Sequence, residues 1–265
     1  MPPSRVDTLS RLYADLGIMI SEAHFSEELI HKLTLLLEEF KYKLAALTIT
    51  SLENLENMKR LIEKYSDSIE YVLRLNIRVK ERRQLLKLLR RRRLVTLVSV
   101  ECSNREILRT AVRDRRVDLV YIPINKRIDF SIREAKAATG HDTLSLELRF
   151  WDLTKMRIDR IRRIYRWVLA AKKYKVPIIL TSGAKSLNEI RAPRDMAPLL
   201  TLFDLTLEEA LTCISKNPLR IVNINKEKLS KNYIMPGVKI VGKSEPYEIS
   251  TKIPGIQTYK PRKLK

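Results

Sequence analysis

A repeated alternation of short apolar runs with longer amphipathic stretches constrains this chain more than any other feature. The apolar runs have the composition of buried strands and occupy residues 16–20, 44–49, 71–79, 94–100, 118–123, 144–150 and 176–182. Helical patterns occupy residues 26–40, 51–65, 81–93, 104–113, 131–138, 155–175, 193–203 and 206–216. Strands that alternate with helices run parallel, because each helix returns the chain to the edge where the previous strand began.

Repeated βα units in a chain of 265 residues predict an α/β protein with a TIM-like (β/α) barrel of seven or eight parallel strands. The only candidate for an eighth strand is LRIVNI, residues 219–224. We expect residues 1–225 to form one barrel domain. Residues 226–265 hold ten basic and three acidic side chains and four prolines, which predicts a basic C-terminal extension with little regular structure.

Two helix starts carry a capping-box spacing, in which a hydroxyl and a carboxylate three residues later satisfy free backbone N–H groups. These pairs are Ser131 with Glu134 and Thr206 with Glu209. The two cysteines, Cys102 and Cys213, lie far apart and form no CxxC pair. We expect both to be buried, reduced thiols.

The charge balance points to a polyanionic partner. Lys and Arg number 52 and Asp and Glu number 31, a formal net charge of +21. Such a field favours nucleic acid, with an anionic membrane surface as the alternative. No apolar run reaches the roughly 18 residues of a membrane span, and the first residues lack the apolar core of a signal peptide. We expect a soluble, cytoplasmic protein, and its charged residues and two glutamines are typical of thermophile proteins.

The charge is unevenly distributed along the chain. Residues 80–116 carry a net charge of +9 and residues 154–175 of +8, whereas residues 21–70 carry −4. We expect the basic segments to face RNA phosphates, because arginine binds phosphate oxygens in pairs. The acidic segment, with Glu53, Glu56 and Glu63, is predicted to face a protein partner. The predicted RNA-binding residues are Arg78, Arg90, Arg91, Arg92, Arg105, Arg109, Lys126, Arg160, Arg163, Lys185 and Arg191.

The helix pattern over 155–175 predicts which of its side chains pack inside. One stripe is apolar and is expected to lie on the sheet, while the arginines fall mostly on the opposite side. An ordinary solvated basic face is the alternative interpretation. The apolar stripe consists of Ile158, Ile161, Ile164, Tyr165 and Val168.

The sequence contains few patterns that are typical of a catalytic or metal-binding site. His24, His31 and His141 form no HxH or HxxxH motif, so we expect no metal site in the protein. The strand carboxylates are read as ion-pair partners of Arg74, Arg78 or Arg149 in the barrel mouth, with catalytic acids as the alternative. Glycine-rich nucleotide-binding motifs are absent from the sequence, and we predict no catalytic residue. The strand carboxylates in question are Asp15, Glu101 and Glu147.

The stretch TSGA, residues 181–184, follows the seventh predicted strand, where barrels often place a phosphate-binding loop. Its N–H groups, with Lys185 and Arg191, would then hold an RNA phosphate. In the alternative interpretation Gly183 makes a turn, Ser186 and Glu189 cap a short helical turn, and Arg191 pairs internally.

Two segments together resemble one family. Residues 111–123, AVRDRRVDLVYIP, and residues 178–199, IILTSGAKSLNEIRAPRDMAPL, carry motifs similar to the p30-type protein subunit of archaeal and eukaryotic ribonuclease P. The resemblance spans roughly residues 12–220, and its second motif is the more specific. The matching positions are Asp114, Val117, Asp118, Ser182, Ala184, Glu189, Arg191, Pro193 and Asp195.

The resemblance implies a barrel similar to polymerase-and-histidinol-phosphatase domains without their metal ligands. It also implies a subunit of the ribonucleoprotein that cleaves the 5′ leader from precursor tRNA. Catalysis would lie in ribonuclease P RNA with its bound Mg²⁺, and this chain, which would need no cofactor, would stabilise that RNA beside a Pop5-type protein. The alternatives are a stand-alone metal-dependent phosphoesterase or nuclease barrel, and a general structured-RNA-binding protein.

Overall fold

The structure, a computed structural model, describes residues 11–21, 25–53, 55–65, 68–230, 232–235 and 238–239. The chain divides into a larger unit that ends at Leu229 and a second unit from Ser230 to Lys265. None of the described helices combines the length and the apolar character needed to cross a bilayer.

The larger unit is built on a parallel sheet whose strands follow one another in chain order from β1 to β7. This order, with helices between the strands, confirms the predicted α/β barrel. The strands are β1 Tyr13–Ile18, β2 Tyr42–Ile49, β3 Glu70–Val79, β4 Leu97–Cys102, β5 Leu119–Tyr121, β6 Ser145–Arg149 and β7 Ile178–Thr181.

Ten α-helices lie within the described residues, and most match a predicted helical pattern. They are α1 Glu27–Glu39, α2 Leu55–Lys64, α3 Arg82–Leu89, α4 Arg105–Ala111, α5 Ile132–Ala138, α6 Phe150–Thr154, α7 Ile158–Lys173, α8 Pro193–Met196, α9 Leu207–Thr212 and α10 Lys216–Leu229. Short 3-10 helices cover Arg92–Leu94, Leu187–Glu189 and Ala197–Phe203.

Most predicted elements are shifted by a few residues at their ends, and two differ further. The helix expected over 193–203 is split into α8 and a 3-10 segment, and Pro198, which lacks a backbone N–H, lies at the start of that segment. The strand expected over 144–150 ends at Arg149, because Phe150 already begins the short helix α6. That helix was missed in the sequence.

Strands β1 and β7 are the two edges of the sheet, and within the described residues no further strand lies between them. A Cβ atom on Gly17 would lie 2.4 Å from the Thr181 Cβ, so β1 and β7 approach each other more closely than any side chain there allows. The Ala14 N–H of β1 donates to the Ile214 carbonyl (2.9 Å), and the Leu180 N–H of β7 donates to the Cys213 carbonyl (3.2 Å). An irregular segment between α9 and α10 therefore bridges the two edge strands.

The candidate for an eighth strand at 219–224 is not a strand, because these residues lie in α10. Ile221 and Val222 are buried against the inward-facing apolar residues of the strands. A short apolar run fits a strand and a buried helix equally well in sequence. The segment fills the N-terminal end of the barrel interior as a helix. The strand residues in that cluster are Ala14, Leu16, Leu44, Ala46, Val72, Leu97, Leu119 and Ile179.

The outer helices confirm the predicted caps and correct part of the predicted α7 face. Both capping boxes form, at the starts of α5 and α9. On α7, Ile164 and Val168 are buried and Ile161 is half-buried, as predicted. The prediction is wrong for Ile158, which is 76% exposed, and for Tyr165, which is also exposed, because the buried stripe turns instead toward Trp167 and Ala171.

Both cysteines are buried and free, which confirms the prediction of reduced thiols. Burial raises the pKa of the Cys213 thiol to about 12 and also raises that of Cys102.

The predicted domain boundary at residue 225 falls inside α10, which continues to Leu229. In the second unit, strands β8 Tyr233–Met235 and β9 Val238–Lys239 pair antiparallel. The remainder of the predicted extension, residues 240–265, lies outside the described residues.

Candidate nucleic-acid interface

The centre of the barrel holds a fully buried ion pair. The Arg74 Nη1 and Nη2 donate to the two carboxylate oxygens of Glu147 at 3.0 and 2.5 Å. Arg74 Nε also donates to Ser99 Oγ (2.8 Å), and Nη1 to the Leu16 carbonyl (2.6 Å). Both side chains are completely excluded from solvent. Charges at this depth persist only where partners satisfy them, and here strands β1, β3, β4 and β6 supply the partners.

Glu147 also accepts from Arg149 Nε (3.1 Å) and from Thr181 Oγ1 (3.0 Å). Burial alone would raise the pKa of Glu147, but the two arginines outweigh it and lower the pKa to about 2. This carboxylate is therefore ionised and fully engaged at neutral pH. A general acid or base needs a pKa near the working pH and a free oxygen, and Glu147 has neither.

The barrel mouth, the open end at the C-terminal ends of the strands, holds a second layer of charge. Arg78 Nε lies 2.9 Å from Glu101 Oε1. The Arg149 guanidinium stacks on the Tyr121 ring, with 3.4 Å between Cζ and the ring centroid, and the Tyr121 hydroxyl donates to Asp152. The predicted ion pairing is thus confirmed for Glu101 and Glu147.

Asp15 behaves differently from the other two predicted carboxylates. Its Oδ1 accepts from the backbone N–H groups of Gly17 (2.9 Å) and Ser182 (3.1 Å), which ties β1 to the end of β7. Complete burial raises the pKa of Asp15 above its ordinary value. The predicted arginine pairing is replaced by these backbone bonds, so Asp15 contributes to closing the barrel.

The loop after β7 follows the turn interpretation. Gly183 has φ +66, a left-handed conformation that favours glycine, and a Cβ there would lie 3.1 Å from the Arg149 Cβ. The neighbouring N–H groups already have protein acceptors: Ser182 N–H binds Asp15, Ala184 N–H binds Ser182 Oγ (3.2 Å), and Lys185 N–H binds Glu189 Oε2 (2.7 Å). These three groups are not available to cradle a phosphate.

Arg191 pairs internally, as the same interpretation expects. Its Nη1 donates to the carbonyls of Asn188 (2.7 Å) and Ile190 (2.9 Å), and its guanidinium lies 5.0 Å from the Trp151 ring centroid. The Trp151 Nε1 donates to the Glu189 carbonyl (2.6 Å). These contacts hold the 3-10 turn at Leu187–Glu189 against the mouth; the expected cap from the Ser186 side chain is not formed.

The residues of the first motif stabilise the junction between β4 and β5. Asp114 accepts from the Arg116 backbone and guanidinium, and these bonds outweigh partial burial and lower the pKa of Asp114. Asp118 accepts from the Val98 N–H (2.8 Å) and pairs with Arg92 (3.1 Å). Both aspartates thus have structural partners.

Eight of the eleven predicted RNA-binding residues fall into two areas of the larger unit. Three of them, Arg78, Arg160 and Lys185, line one cavity in the barrel mouth. Others lie on or just after the neighbouring outer helices α3 and α4, and Lys126 lies in the loop between β5 and α5. The helix group consists of Arg90, Arg91, Arg92, Arg105 and Arg109.

The predicted residues differ in how tightly the protein already holds them. Arg163 pairs with Asp129 (3.5 Å), donates to the Ile124 carbonyl (2.8 Å) and lies over the Trp167 ring. Arg92 and Arg191 are similarly engaged, and Arg109 lies 3.8 Å from Glu134. Five of the predicted residues are exposed and form no ion pair with any described residue: Arg90, Arg91, Arg105, Lys126 and Lys185.

The described residues contain no group of three or more His, Cys, Asp or Glu arranged to hold a metal ion. His31 is exposed near the Tyr65 ring, and His141 is half-buried, with burial lowering its pKa. His24 lies outside the described residues.

Sequence reasoning missed two contributors to the mouth. Lys155 and Trp151 line the same cavity as Arg149 because α6 turns the chain back across the strand ends. The aromatic pair Phe150–Trp151 directly after β6 is the signal that would have indicated such a turn, since a solvated helix start rarely carries two aromatic residues.

Known proteins resemble this chain in sequence and in fold. A relative from Methanococcoides burtonii, ribonuclease P protein component 3, is 31% identical over 55% of this chain and 61% of its own length. The protein of the same name from Methanococcus maripaludis is 25% identical over 89% of this chain and 92% of its own. A chain in the cryo-EM structure of archaeal ribonuclease P with mature tRNA has the same fold, with TM-score 0.71, 21% identity, and coverage of 88% of this chain and 99% of that one.

The sequence model of the family described as RNase P subunit p30 matches residues 13–230. These residues include every strand of the barrel, the ion-paired centre and α10. The chain belongs to the RNase P p30 subunit family.

Proposed function

We propose that this chain is a protein subunit of ribonuclease P, the ribonucleoprotein that removes the 5′ leader of precursor tRNA. It supports the catalytic RNA by binding it and stabilising its active fold. The observation that carries this proposal is the p30 family match, which extends over the whole barrel. The net charge of +21 fits a partner made of RNA.

RNA contact is assigned to the exposed cations of the two basic areas. Arg90, Arg91 and Arg105 supply it on the helix side, and Lys185 supplies it at the mouth together with Arg78, which is exposed although it pairs with Glu101. Arginine side chains without carboxylate partners bind phosphate oxygens without first breaking an internal ion pair. Affinity for RNA would therefore fall steeply with salt, because each neutralised phosphate releases counterions.

Catalysis is assigned to the RNA and not to this chain. The two acids best placed for chemistry, Glu101 and Glu147, are held by arginines. Mg²⁺ bound to the partner RNA would activate the attacking water. The protein itself would need no cofactor.

A Pop5-type subunit is the proposed protein partner, and the acidic segment 21–70 is its proposed surface. Glu53, Glu56 and Glu63 are exposed there. Reversing their charge to lysine would weaken binding of the Pop5-type protein before binding of RNA, as measured by calorimetry with each partner separately. A loss of RNA affinity with unchanged partner binding would contradict this assignment.

The proposed function is tested by an omission assay of precursor-tRNA cleavage. Ribonuclease P RNA and its partner proteins are assayed at moderate Mg²⁺ with and without this chain, and the chain is assayed alone. We expect cleavage to require the RNA and to rise sharply when the chain is added. Cleavage by the chain alone would overturn the proposal and would make Asp15, Glu101 and Glu147 the first residues to mutate.

A further inference from the structure

The barrel mouth contains a cavity of about 430 Å³ that the ion-paired centre does not fill. Its floor is the Arg149 guanidinium on the Tyr121 ring, and its walls come from the loops after β5, β6 and β7. This volume is in the range of small-ligand pockets. The cavity therefore suits one small group.

Arg149 is built into the floor with part of its hydrogen-bonding capacity unused. Its Nε is committed to Glu147, but its Nη2 is buried and has no hydrogen-bond partner among the described residues. The residue is only 8% exposed, and the charge on Glu147 raises the pKa of this arginine against the effect of burial. A buried cationic donor without an acceptor is costly, and an anion bound in the mouth would offset the charge of this guanidinium, although Nη2 itself is closed to solvent.

The rest of the cavity has an excess of positive charge. Lys155, Arg160 and Lys185 line it, and no ion pair between them and any other described residue is present. Three carboxylates also line the cavity, and each already has a protein partner. Glu101 pairs with Arg78, Asp152 accepts from the Tyr121 hydroxyl, and Glu189 accepts from the Lys185 N–H.

We propose that the barrel mouth is a binding site for a single phosphate group. Arg149 contacts the phosphate from below through its guanidinium, and Lys155, Arg160 and Lys185 close around it from the rim. The backbone of the loop after β7 takes little part, because three of its N–H groups bind protein acceptors. The site is thus made of side chains, unlike the phosphate loops formed at helix N-termini.

The ligand class is a phosphate ester, and it has two possible sources: an unpaired nucleotide of a bound RNA, or a free mononucleotide. The assignment to RNA rests on the proposed function. Phosphate binding itself does not, since it follows from the cavity and its charges alone. The two assignments are therefore tested separately.

The first test titrates the full-length protein with inorganic phosphate and with adenosine 5′-monophosphate at low salt, using adenosine as the uncharged probe. Trp151 lines the cavity whereas Trp167, the other tryptophan, is buried in the core, so Trp151 fluorescence reports occupancy. We expect saturable one-to-one binding of both phosphates and none of adenosine. Calorimetry on Trp151→Phe should retain the binding while the fluorescence change disappears.

The test variant combines Lys155→Ala with Lys185→Ala, because both residues are exposed and their loss should not unfold the barrel. Removing two charged donors should weaken phosphate binding by about tenfold or more. The matched control combines Lys43→Ala with Lys136→Ala, which removes the same charge from exposed positions that do not line the cavity. Equal weakening in both variants, or no saturable binding in the parent protein, would overturn the proposal.

A second arm identifies the source of the phosphate. Ribonuclease P RNA is added to protein saturated with adenosine 5′-monophosphate, and displacement of the nucleotide is followed by Trp151 fluorescence. Displacement supports an RNA phosphate in the mouth, and retention of the nucleotide overturns that source.

If the omission assay succeeds while the mouth binds no phosphate, only this inference fails. If the mouth binds phosphate but the chain has no effect on cleavage, the proposed function fails instead.

Discussion

The two ends of the barrel interior are stabilised in opposite ways. At the N-terminal end, Ile221 and Val222 of α10 pack among alanine, leucine, isoleucine and valine side chains of the strands. From the centre to the mouth, the interior is held by Arg74, Glu147 and Arg149. One end excludes water with apolar area, and the other pairs charges that water would otherwise solvate.

The apolar end of the interior tolerates substitution better than the charged end. Apolar packing tolerates changes of shape at a graded cost, because each side chain contributes its own buried area. A buried charge network has no such gradation, because removing one member leaves the others unpaired. Fully apolar packing would close the mouth more simply, so retention of charge there is consistent with the proposed anion site.

The largest effect is expected for Glu147→Ala. It leaves Arg74, which is completely buried, and Arg149 without their shared carboxylate. Breaking a buried pair in this way costs about 3–5 kcal/mol. Urea unfolding followed by circular dichroism would measure the loss. A loss below about 1 kcal/mol would show that the arginines find other acceptors and that the network is not a unit.

At the opposite end, Ile221→Ala should leave a cavity between α10 and the strands. Deleting a buried isoleucine side chain to alanine costs about 2–5 kcal/mol in the free energy of unfolding. Leu229→Ala is the matched control in the same helix, because Leu229 is exposed, and a change within about 0.5 kcal/mol is expected there. Equal losses for both variants would contradict the assignment of α10 as the apolar plug.

Much of the barrel could be predicted from local patterns. The strands are buried on both faces, so they are continuous apolar runs, and the capping boxes at Ser131 and Thr206 mark helix starts. The same reasoning fails at residues 219–224, because a six-residue segment with four apolar side chains is too short to show a period that separates a strand from a buried helix turn. Whether these residues form an eighth strand depends on the distance between β1 and β7, and no local sequence pattern encodes that distance.

The ion pairs of the barrel mouth could be predicted in part, for a different reason. Charged residues inside strands must find opposite charges, so pairing of Glu147 and Glu101 with arginines follows from their positions alone. Their individual partners do not follow, because β3 and β6 meet only across the closed barrel. Lys155 was missed because its place depends on the short helix α6, whose five residues show no helical period.

Acidic pH should reduce the stability contributed by the charged end of the interior and leave that of the apolar end unchanged. The pKa of Glu147 is lowered from an ordinary value of 4.5 to about 2, so its contribution to stability is complete above pH 4.5 and is lost as the pH falls toward 2. The difference in unfolding free energy between the parent protein and Glu147→Gln should shrink across that window. The difference between the parent protein and Ile221→Ala should not. Taking differences removes the shared contribution of other carboxylates, such as Asp114, whose pKa is also lowered.

The smallest effect is expected at the rim, for Glu101→Ala. Its partner Arg78 is 75% exposed, so water replaces the carboxylate when Glu101 is removed. Exposed pairs contribute about 1 kcal/mol or less, and the loss in urea unfolding should be well below that of Glu147→Ala. The variant also frees Arg78 and removes one negative charge from the cavity, so phosphate should bind more tightly while stability hardly changes. A loss as large as that of Glu147→Ala would mean that the charge network extends to the rim, and weaker phosphate binding would mean that Glu101 positions Arg78 for the ligand.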